Sequence, residues 1–359
     1  MASIKLNNLT MRYGNSTAVN GINLAIDDGE FVVFLGPSGC GKTTTLRCIA
    51  GLENPTSGDI LFDGVKVNHL HASARNVAMV FQFISLYPHK TVRKNIAFPL
   101  RARGLSEAQI VEKIKWVEDV FSLGEVMDRY PNSLPPGSRQ LAALARAVVR
   151  DPKVLLLDEP LSAIDEQFRE EMRWELKHLQ SRLGVTTIHV THDQREAMSL
   201  ADRIVLMHSG DVVQIGTPQA LFNDPINEFA AHFIGSPGMN LADVQVASGG
   251  LMLGSSLLPL GSLPTPLSEP GNLRLGIRPN HVQRDGKAGE PGCVLALIED
   301  RYAIGREEYF QFSLGGQKFV GIDKEKNRQL AEVGTSEMIR FDCAEMRFFA
   351  PDGIKVVVP

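Results

Sequence analysis

The first 235 residues alternate short β-forming runs with stretches of helical periodicity, which is the pattern of an α/β domain. Two of the runs, EFVVFLG (30–36) and KVLLLDE (153–159), are apolar without a break, and they predict central parallel strands covered on both faces. Two others, 60–67 and 204–216, carry an Asp-Gly or Ser-Gly pair between β-forming residues and predict hairpins.

Residues from about 88 to 150 predict a helical subdomain inserted in this domain. Segment 108–123 places four apolar residues on one face at helical spacing, namely Ile110, Ile114, Val117 and Phe121. A further charged segment, 165–183, has acids and bases at helical spacing and predicts an amphipathic helix with a solvated face.

The composition changes after residue 235, and residues 236–359 predict a smaller all-β domain. Segment 248–272 is rich in Gly, Ser, Pro and Leu and has no helical period. Segment 309–323 contains two alternating strands around a Gly-Gly turn. A length of 359 residues suits two such domains better than one.

Charge and composition exclude several function classes. The net charge is −4 and the basic residues are dispersed, so no nucleic-acid footprint is expected. No apolar run approaches the ~20 residues that span a bilayer, and the N-terminus lacks signal-peptide features, so any membrane link is expected to go through a partner. The four cysteines lack metal-ligand spacing and suit a reduced, cytosolic protein.

GPSGCGKT (36–43) fits the phosphate-binding pattern G-x-x-x-x-G-K-[ST] between a predicted strand and a predicted helix. Successive backbone N–H groups and the helix N-terminus favour phosphate, Lys42 would neutralise it, and Thr43 would bind Mg²⁺. A Gly-rich turn with a chance lysine is the plain alternative, but the order of strand, motif and helix argues against it. The predicted ATP contacts are Gly36, Pro37, Ser38, Gly39, Cys40, Gly41, Lys42, Thr43 and Thr44.

Two adjacent acids, Asp158 and Glu159, end the second apolar strand. Asp158 could reach a metal ion, and Glu159 could orient the attacking water or accept its proton. On their own, two acids at a strand end could equally form the cap of a helix. The phosphate-binding motif earlier in the chain favours the catalytic interpretation.

With these motifs the chain resembles the ATP-binding subunits of ABC transporters, in the carbohydrate-import branch for maltose-type sugars and glycerol phosphate. Four further segments carry the resemblance: MRYGNSTAV with Tyr13, MVFQFISLYPHKTV with Gln82, SAID (162–165), and VTHDQREAM with His192. The resemblance implies that Tyr13 stacks on adenine, Gln82 contacts Mg²⁺ and the attacking water, and His192 contacts the γ-phosphate. Singly, the three have plain alternatives: a surface aromatic, an exposed amide and a helix-capping histidine.

The resemblance implies a P-loop NTPase fold with a helical subdomain and, from LGIRPNHV (275–282), a C-terminal OB-like (TOBE) barrel for regulation and dimerisation. It also implies an importer ATPase that works with two transmembrane permease subunits and a solute-binding protein at the cytoplasmic face of the inner membrane. Leu86, Tyr87 and Pro88 would contact a permease, with ordinary packing in the helical subdomain as the equal alternative for each. A regulatory ATP-binding protein is the second candidate. A soluble ABC ATPase of DNA repair or translation ranks last, because coiled coils and tandem cassettes are missing.

The family's L-S-G-G-Q loop, which caps the ATP of the opposite subunit, aligns here with LPPGS (134–138). Pro135 and Pro136 lack the hydroxyl and N–H donors, so only Gly137 keeps its amide, although proline suits the first turn of a helix. Losing two or three charged hydrogen bonds would slow hydrolysis by roughly two to six powers of ten. A slow homodimer, an asymmetric pair with a second ATPase subunit, and a non-functional relic all stay open.

Overall fold

The computed structural model divides into two compact units, Met1–Pro218 and Gln219–Pro359. The predicted change at residues 235–236 falls inside the second unit, and the assignment of separate nucleotide-binding and regulatory domains on either side of it stays a prediction. The residues that the structure describes are 2–162, 164–261, 272–305, 307–323 and 332–356.

The first unit contains ten strands and six helices among its described residues. In chain order they are β1 (Ile4–Tyr13), β2 (Ser16–Ile26), β3 (Phe31–Leu35), α1 (Lys42–Ala50), β4 (Ser57–Phe62), β5 (Val65–Lys66), β6 (Val77–Val80), α2 (Val92–Ala102), α3 (Glu107–Val120), α4 (Pro136–Val148), β7 (Val154–Asp158), α5 (Glu166–Leu183), β8 (Thr186–Thr191), α6 (Gln194–Leu200), β9 (Arg203–His208) and β10 (Asp211–Gly216).

The central sheet has the order β10-β9-β3-β8-β7-β6, and every pair except the β9–β10 hairpin is parallel. Both apolar runs are interior strands of this sheet, and all residues of β3 and β7 are buried, as predicted. Their apolar residues follow one another without alternation because both faces of the sheet are covered. Since β3, β8 and β7 are neighbours and parallel, the loops that follow them meet at one edge of the sheet.

A second, antiparallel sheet has the order β2-β1-β4-β5. The predicted hairpin at 60–67 is confirmed, because Phe62 pairs with Val65 across the Asp63-Gly64 turn. The predicted hairpin at 204–216 is confirmed by β9 and β10, with Ser209 and Gly210 in the turn. Both turns place two residues at positive φ, which is the geometry that such hairpins require.

The predicted helical subdomain is present as α2, α3 and α4. Helix α3 begins with a capping box formed by Ser106 and Gln109, and its buried face holds Ile110, Ile114 and Val117, as the spacing predicts. Helix α5 confirms the amphipathic segment but differs in one respect. Its buried side includes Arg173 and Gln180, although charged and polar residues are expected on the solvated face.

The second unit is mostly β-structure. In chain order its elements are α7 (Pro218–Asn223), α8 (Glu228–Phe233), β11 (Asn240–Ala247), β12 (Gly250–Leu253), β13 (Ser256–Pro259), β14 (Asn272–Ile277), β15 (Val282–Gln283), β16 (Cys293–Ile304), β17 (Glu307–Leu314), β18 (Gln317–Asp323), β19 (Ser336–Phe341), β20 (Arg347–Phe349) and β21 (Lys355–Val356).

The antiparallel sheet β15-β19-β16-β17-β18 nearly closes, because β15 and β18 approach each other at its two ends. This is the predicted OB-like barrel, and its interior holds Phe310, Phe312, Phe319 and Phe341. The predicted Gly-Gly hairpin is confirmed by β17 and β18. A second sheet has the order β13-β12-β11-β14-β20-β21. Within the Gly- and Pro-rich segment 248–272, residues 262–271 lie outside the described residues.

No helix in the described part of the chain combines the length and the apolar character that a bilayer span requires.

Arg278, which follows β14, holds the second unit together from inside. Its side chain is almost fully buried and donates hydrogen bonds to the carbonyl oxygens of Phe222, Ala231 and Ile234. The guanidinium also lies 4.1 Å from the centre of the Phe222 ring. Burial lowers the pKa of Arg278 to about 10, so the charge is kept at neutral pH and serves to satisfy three buried acceptors.

Replacing Arg278 with Met should destabilise the protein by about 3 kcal/mol, because three carbonyl groups lose their charged donor while the aliphatic volume is kept. Urea unfolding followed by circular dichroism measures the change. Arg301→Met, at an exposed position of β16, serves as the matched control and should change little. An Arg278 variant as stable as that control would contradict the structural role.

Candidate nucleotide site

The phosphate-binding loop joins β3 to α1, and two of its glycines are required by close backbone approach. A Cβ atom on Gly36 would lie 2.1 Å from the carbonyl oxygen of Met207, and one on Gly41 would lie 2.3 Å from that of Ala18. Gly41 also caps α1 with φ of 101°, a value that disfavours other residues. The loop is therefore curled tightly over the sheet edge, with the N-terminus of α1 pointing into the curl.

Lys42 lies at the centre of this curl. Its side chain is buried, and Nζ donates to the carbonyl oxygens of Gly36 and Pro37, both at 2.8 Å. None of residues 42–45 in the first turn of α1 is acidic, so the positive end of the helix dipole and the ammonium group act in the same direction. Such an arrangement suits an anion such as a nucleotide phosphate.

Thr43 and Asp158 come together although they are far apart in the sequence. The Thr43 hydroxyl donates to Oδ1 of Asp158 at 2.8 Å, at the carboxyl end of β7. Burial raises the pKa of Asp158, and the Thr43 hydrogen bond opposes that shift. A hydroxyl and a buried carboxylate side by side are hard oxygen donors of the kind that Mg²⁺ prefers, so the residues present fit the ion that the family implies.

Glu159 contacts both of the other predicted catalytic residues through its carboxylate. Its Oε2 accepts from Nε2 of Gln82 at 3.3 Å, and its Oε1 lies 3.2 Å from Nδ1 of His192. The residue has φ of 45°, an uncommon backbone conformation, and its amide donates to Val190 in β8. The structure thus brings Gln82, Glu159 and His192 into one hydrogen-bonded group beside Asp158.

Tyr13, the predicted adenine-stacking residue, ends β1 and is 49% exposed. Its hydroxyl donates to Oε2 of Glu53. That hydrogen bond raises the pKa of the Tyr13 hydroxyl. Of the loop 162–165, Ser162 donates to the carbonyl oxygen of Glu159 at 2.8 Å, and Ala163 lies outside the described residues.

Residues 134–138 (LPPGS), which align with the family's L-S-G-G-Q loop, form the signature segment. This segment folds as expected despite its two prolines. Pro135 is the N-cap of α4 and Pro136 is its first residue, where a missing N–H costs no helical hydrogen bond. No side chain caps this end. The amides of Gly137 and Ser138 fall in the first turn, which leaves them without intrahelical acceptors. The segment borders a cleft of about 500 Å³.

A groove of about 610 Å³ beside Gln82 was not predicted as such from the sequence. Phe83, 80% exposed, projects from its wall, and Tyr87 packs 4.8 Å from Phe98. Arg146 of α4 lies 5.5 Å from the Tyr87 ring and donates to the Ser85 carbonyl oxygen at 2.9 Å.

Of the two interpretations of Leu86, a permease contact and ordinary packing, its burial favours packing. The exposed phenylalanines of the segment are Phe83 and, at 42% exposure, Phe81. Residue type alone does not distinguish them from the buried Leu86. The phenylalanines FQF around Gln82 were the signal that could have indicated the groove.

The fold and the site define a P-loop ATPase: a parallel sheet with an anion-binding loop, a hydroxyl–carboxylate pair, and a carboxylate held by an amide and an imidazole. The ABC transporter family profile matches residues 19–162. Among curated proteins, the chain is 44% identical over 361 residues to the sn-glycerol-3-phosphate import ATP-binding protein UgpC of Chromohalobacter salexigens, covering 99% of this chain and 96% of that protein.

Two further comparisons agree. The trehalose import ATP-binding protein SugC of Mycobacterium tuberculosis is 43% identical over 329 residues, covering 90% of this chain and 81% of that protein. The solved dimer of the ATP-binding cassette MJ0796 with ADP and phosphate matches at 31% identity and a TM-score of 0.53, covering 60% of this chain and 98% of that one. The chain belongs to the ABC transporter family, as an importer-type ATP-binding subunit, which confirms the resemblance found in the sequence.

Restoring the missing donors should accelerate ATP hydrolysis. In the double variant Pro135→Ser/Pro136→Gly, a hydroxyl and an N–H return to the start of α4, and we expect a steady-state rate at least tenfold above that of the unmodified chain. Phosphate release measures the rate, with Glu159→Gln as the zero.

Pro152→Ser, which removes a proline elsewhere in the same unit, controls for the general effect of losing one and should leave the rate unchanged. Equal rates for the double variant and the unmodified chain would show that the Gly137 amide and the dipole of α4 suffice.

Proposed function

We propose that this ATPase energises the import of a sugar, a polyol or glycerol phosphate. The observation that carries the proposal is the hydrogen-bonded group of Gln82, Glu159 and His192 at the sheet edge that also presents the phosphate-binding loop. The solute class rests on the relatives, whose names give glycerol 3-phosphate and trehalose as imported solutes. Their full-length similarity supports the same kind of cargo for this chain.

In the proposed hydrolysis, the phosphates of ATP lie in the curl of Gly36–Thr44 against Lys42. Thr43, Asp158 and Gln82 would hold Mg²⁺, and the ion would supply neutralisation of the phosphate charge. The carboxylate of Glu159 accepts the proton of the attacking water, as a general base does.

His192 and Gln82 orient Glu159 and the water in this proposal. Tyr13 stacks on the adenine ring. The amide of Gly137 donates to the ATP held by the opposite subunit, so a complete site needs a dimer, either with a second copy or with another ATPase subunit.

The proposed partners are two transmembrane permease subunits and a solute-binding protein, with this chain peripheral at the cytoplasmic face of the inner membrane. The groove beside Gln82 is the surface that suits a permease segment. Its lining is mainly apolar with three arginines, it presents Phe83 and Tyr87, and Arg146 connects its wall to α4, the helix that begins at the signature segment. A segment seated there would act on Gln82 and α4 together.

Replacing Phe83 with Asp should uncouple the chain from the membrane while its own ATPase activity stays, because a charge then faces an apolar partner segment. The measurement is co-purification from detergent-solubilised membranes of the host, with mass spectrometry to identify proteins that contain membrane-spanning segments. Val65→Asp changes an exposed apolar residue at a hairpin tip of the same unit and should leave the complex intact.

Retention of the same membrane proteins by the Phe83 variant would contradict the groove assignment. The solute class is tested separately, by uptake of labelled glycerol 3-phosphate and trehalose in host cells with and without the gene. Unchanged uptake of both solutes would contradict the proposed cargo for these two compounds.

A further inference from the structure

Tyr13 and Glu53 form a contact between the edge of the antiparallel sheet and the end of the P-loop helix. Tyr13 closes β1, where it pairs with Ser16 across a tight turn. Its hydroxyl donates to Oε2 of Glu53, forty residues further along the chain, just beyond α1. The Tyr13 ring is thus half-exposed while its hydroxyl is held by an anionic partner.

Glu53 is held in place from several directions. Its amide donates to the carbonyl oxygen of Arg47 in the last turn of α1 at 3.3 Å, and its Oε1 pairs with the Arg47 guanidinium at 3.5 Å. Its side chain is only 22% exposed. The following segment is fastened to β1, because the Thr56 amide donates to Thr10 at 2.8 Å. Glu53 is therefore a fixed acceptor rather than a mobile surface carboxylate.

This contact lowers the conformational entropy that the Tyr13 side chain loses when its ring stacks on a base. A ring at the end of a strand samples several rotamers when its tip is unpartnered, and stacking would freeze them. The Glu53 carboxylate fixes the tip beforehand, because it already accepts from the hydroxyl of the unbound ring.

We infer that Glu53 is a positioning residue for nucleotide binding, which orients Tyr13 for stacking on the base through the hydroxyl of the ring. The inference rests on the proposed stacking role of Tyr13. Stacking alone requires only the aromatic ring, whereas positioning by Glu53 also requires the Tyr13 hydroxyl. Tyr13→Phe should therefore keep the stacking ring and lose its fixed orientation.

A double-mutant cycle tests this with the full chain. The dissociation constant of ADP is measured by calorimetry for the unmodified chain, Glu53→Ala, Tyr13→Phe and the double variant. Loss of the preset ring orientation predicts roughly three- to tenfold weaker binding for each single variant, which is the effect expected for immobilising one side chain. The double variant should be no weaker than either, because both changes remove one bond. The KM for ATP should rise by the same factor, with kcat unchanged.

Two further variants separate positioning from a general structural role. Glu53→Gln keeps an acceptor oxygen and should retain most of the affinity, and it remains informative where the alanine variant fails to fold. Glu112→Gln, on the exposed side of α3, is the matched control and should bind as the unmodified chain does. Glu53→Ala also removes the ionic partner of Arg47. If that change caused the loss of ADP affinity, Glu53→Ala would weaken binding in the Tyr13→Phe background too, whereas positioning predicts no further loss there.

The outcomes distinguish this inference from the function on which it rests. Absence of ADP binding by the unmodified chain would contradict the ATPase site itself. Tyr13→Ala binding as tightly as the unmodified chain would remove both the stacking role and the inference. Weaker binding by Tyr13→Ala, together with full affinity in Glu53→Ala, or an equal loss from Glu53→Ala in the Tyr13→Phe background, would overturn the inference and leave the stacking role in place.

Discussion

The order of three parallel strands, β3-β8-β7, is the constraint on which the site depends. Leu35 at the end of β3 pairs with Thr191 at the end of β8, and Val190 pairs with Asp158 at the end of β7. The residues that follow these ends therefore meet within one or two side-chain lengths. Lys42 and Thr43 arrive through the loop after β3, His192 follows β8, and Glu159 follows β7. A change in strand order would separate them without altering any motif.

In the signature segment, the same residues keep the conformation of the helix start and remove hydrogen-bond donors. Proline at the N-cap and first position of α4 is compatible with the helix, since neither amide would have an intrahelical acceptor. The same absence of N–H and hydroxyl groups removes donors that the family presents to phosphate. A sequence can thus keep the fold of this helix entirely while it weakens the interaction that the helix serves.

The sequence predicted what is local or strongly periodic. The phosphate-binding loop, the apolar strands, three hairpins and the buried face of α3 each follow from residues within about one element, and the structure contains all of them. It did not indicate Glu53 as the partner of Tyr13, because forty residues and a helix separate them and neither type is unusual at a surface.

The sequence also did not indicate which of several similar side chains are buried. Leu86 and Phe83 are both large and apolar, and only tertiary packing decides that the first is buried and the second exposed. Arg173 is buried on α5 although its neighbours Glu170 and Glu171 are exposed. Charge alone predicted solvent exposure there, whereas a long side chain can be covered by tertiary contacts.

The central claim is that Glu159, held between Gln82 and His192, accepts the proton of the water that attacks ATP. Single-turnover hydrolysis, which resolves slow rates, measures it directly in the unmodified chain and in Glu159→Gln. The account predicts a rate at least about a hundredfold lower in the variant, with ADP affinity within about twofold, because the amide keeps the shape and loses the basicity. Hydrolysis by Glu159→Gln at the rate of the unmodified chain would contradict the account.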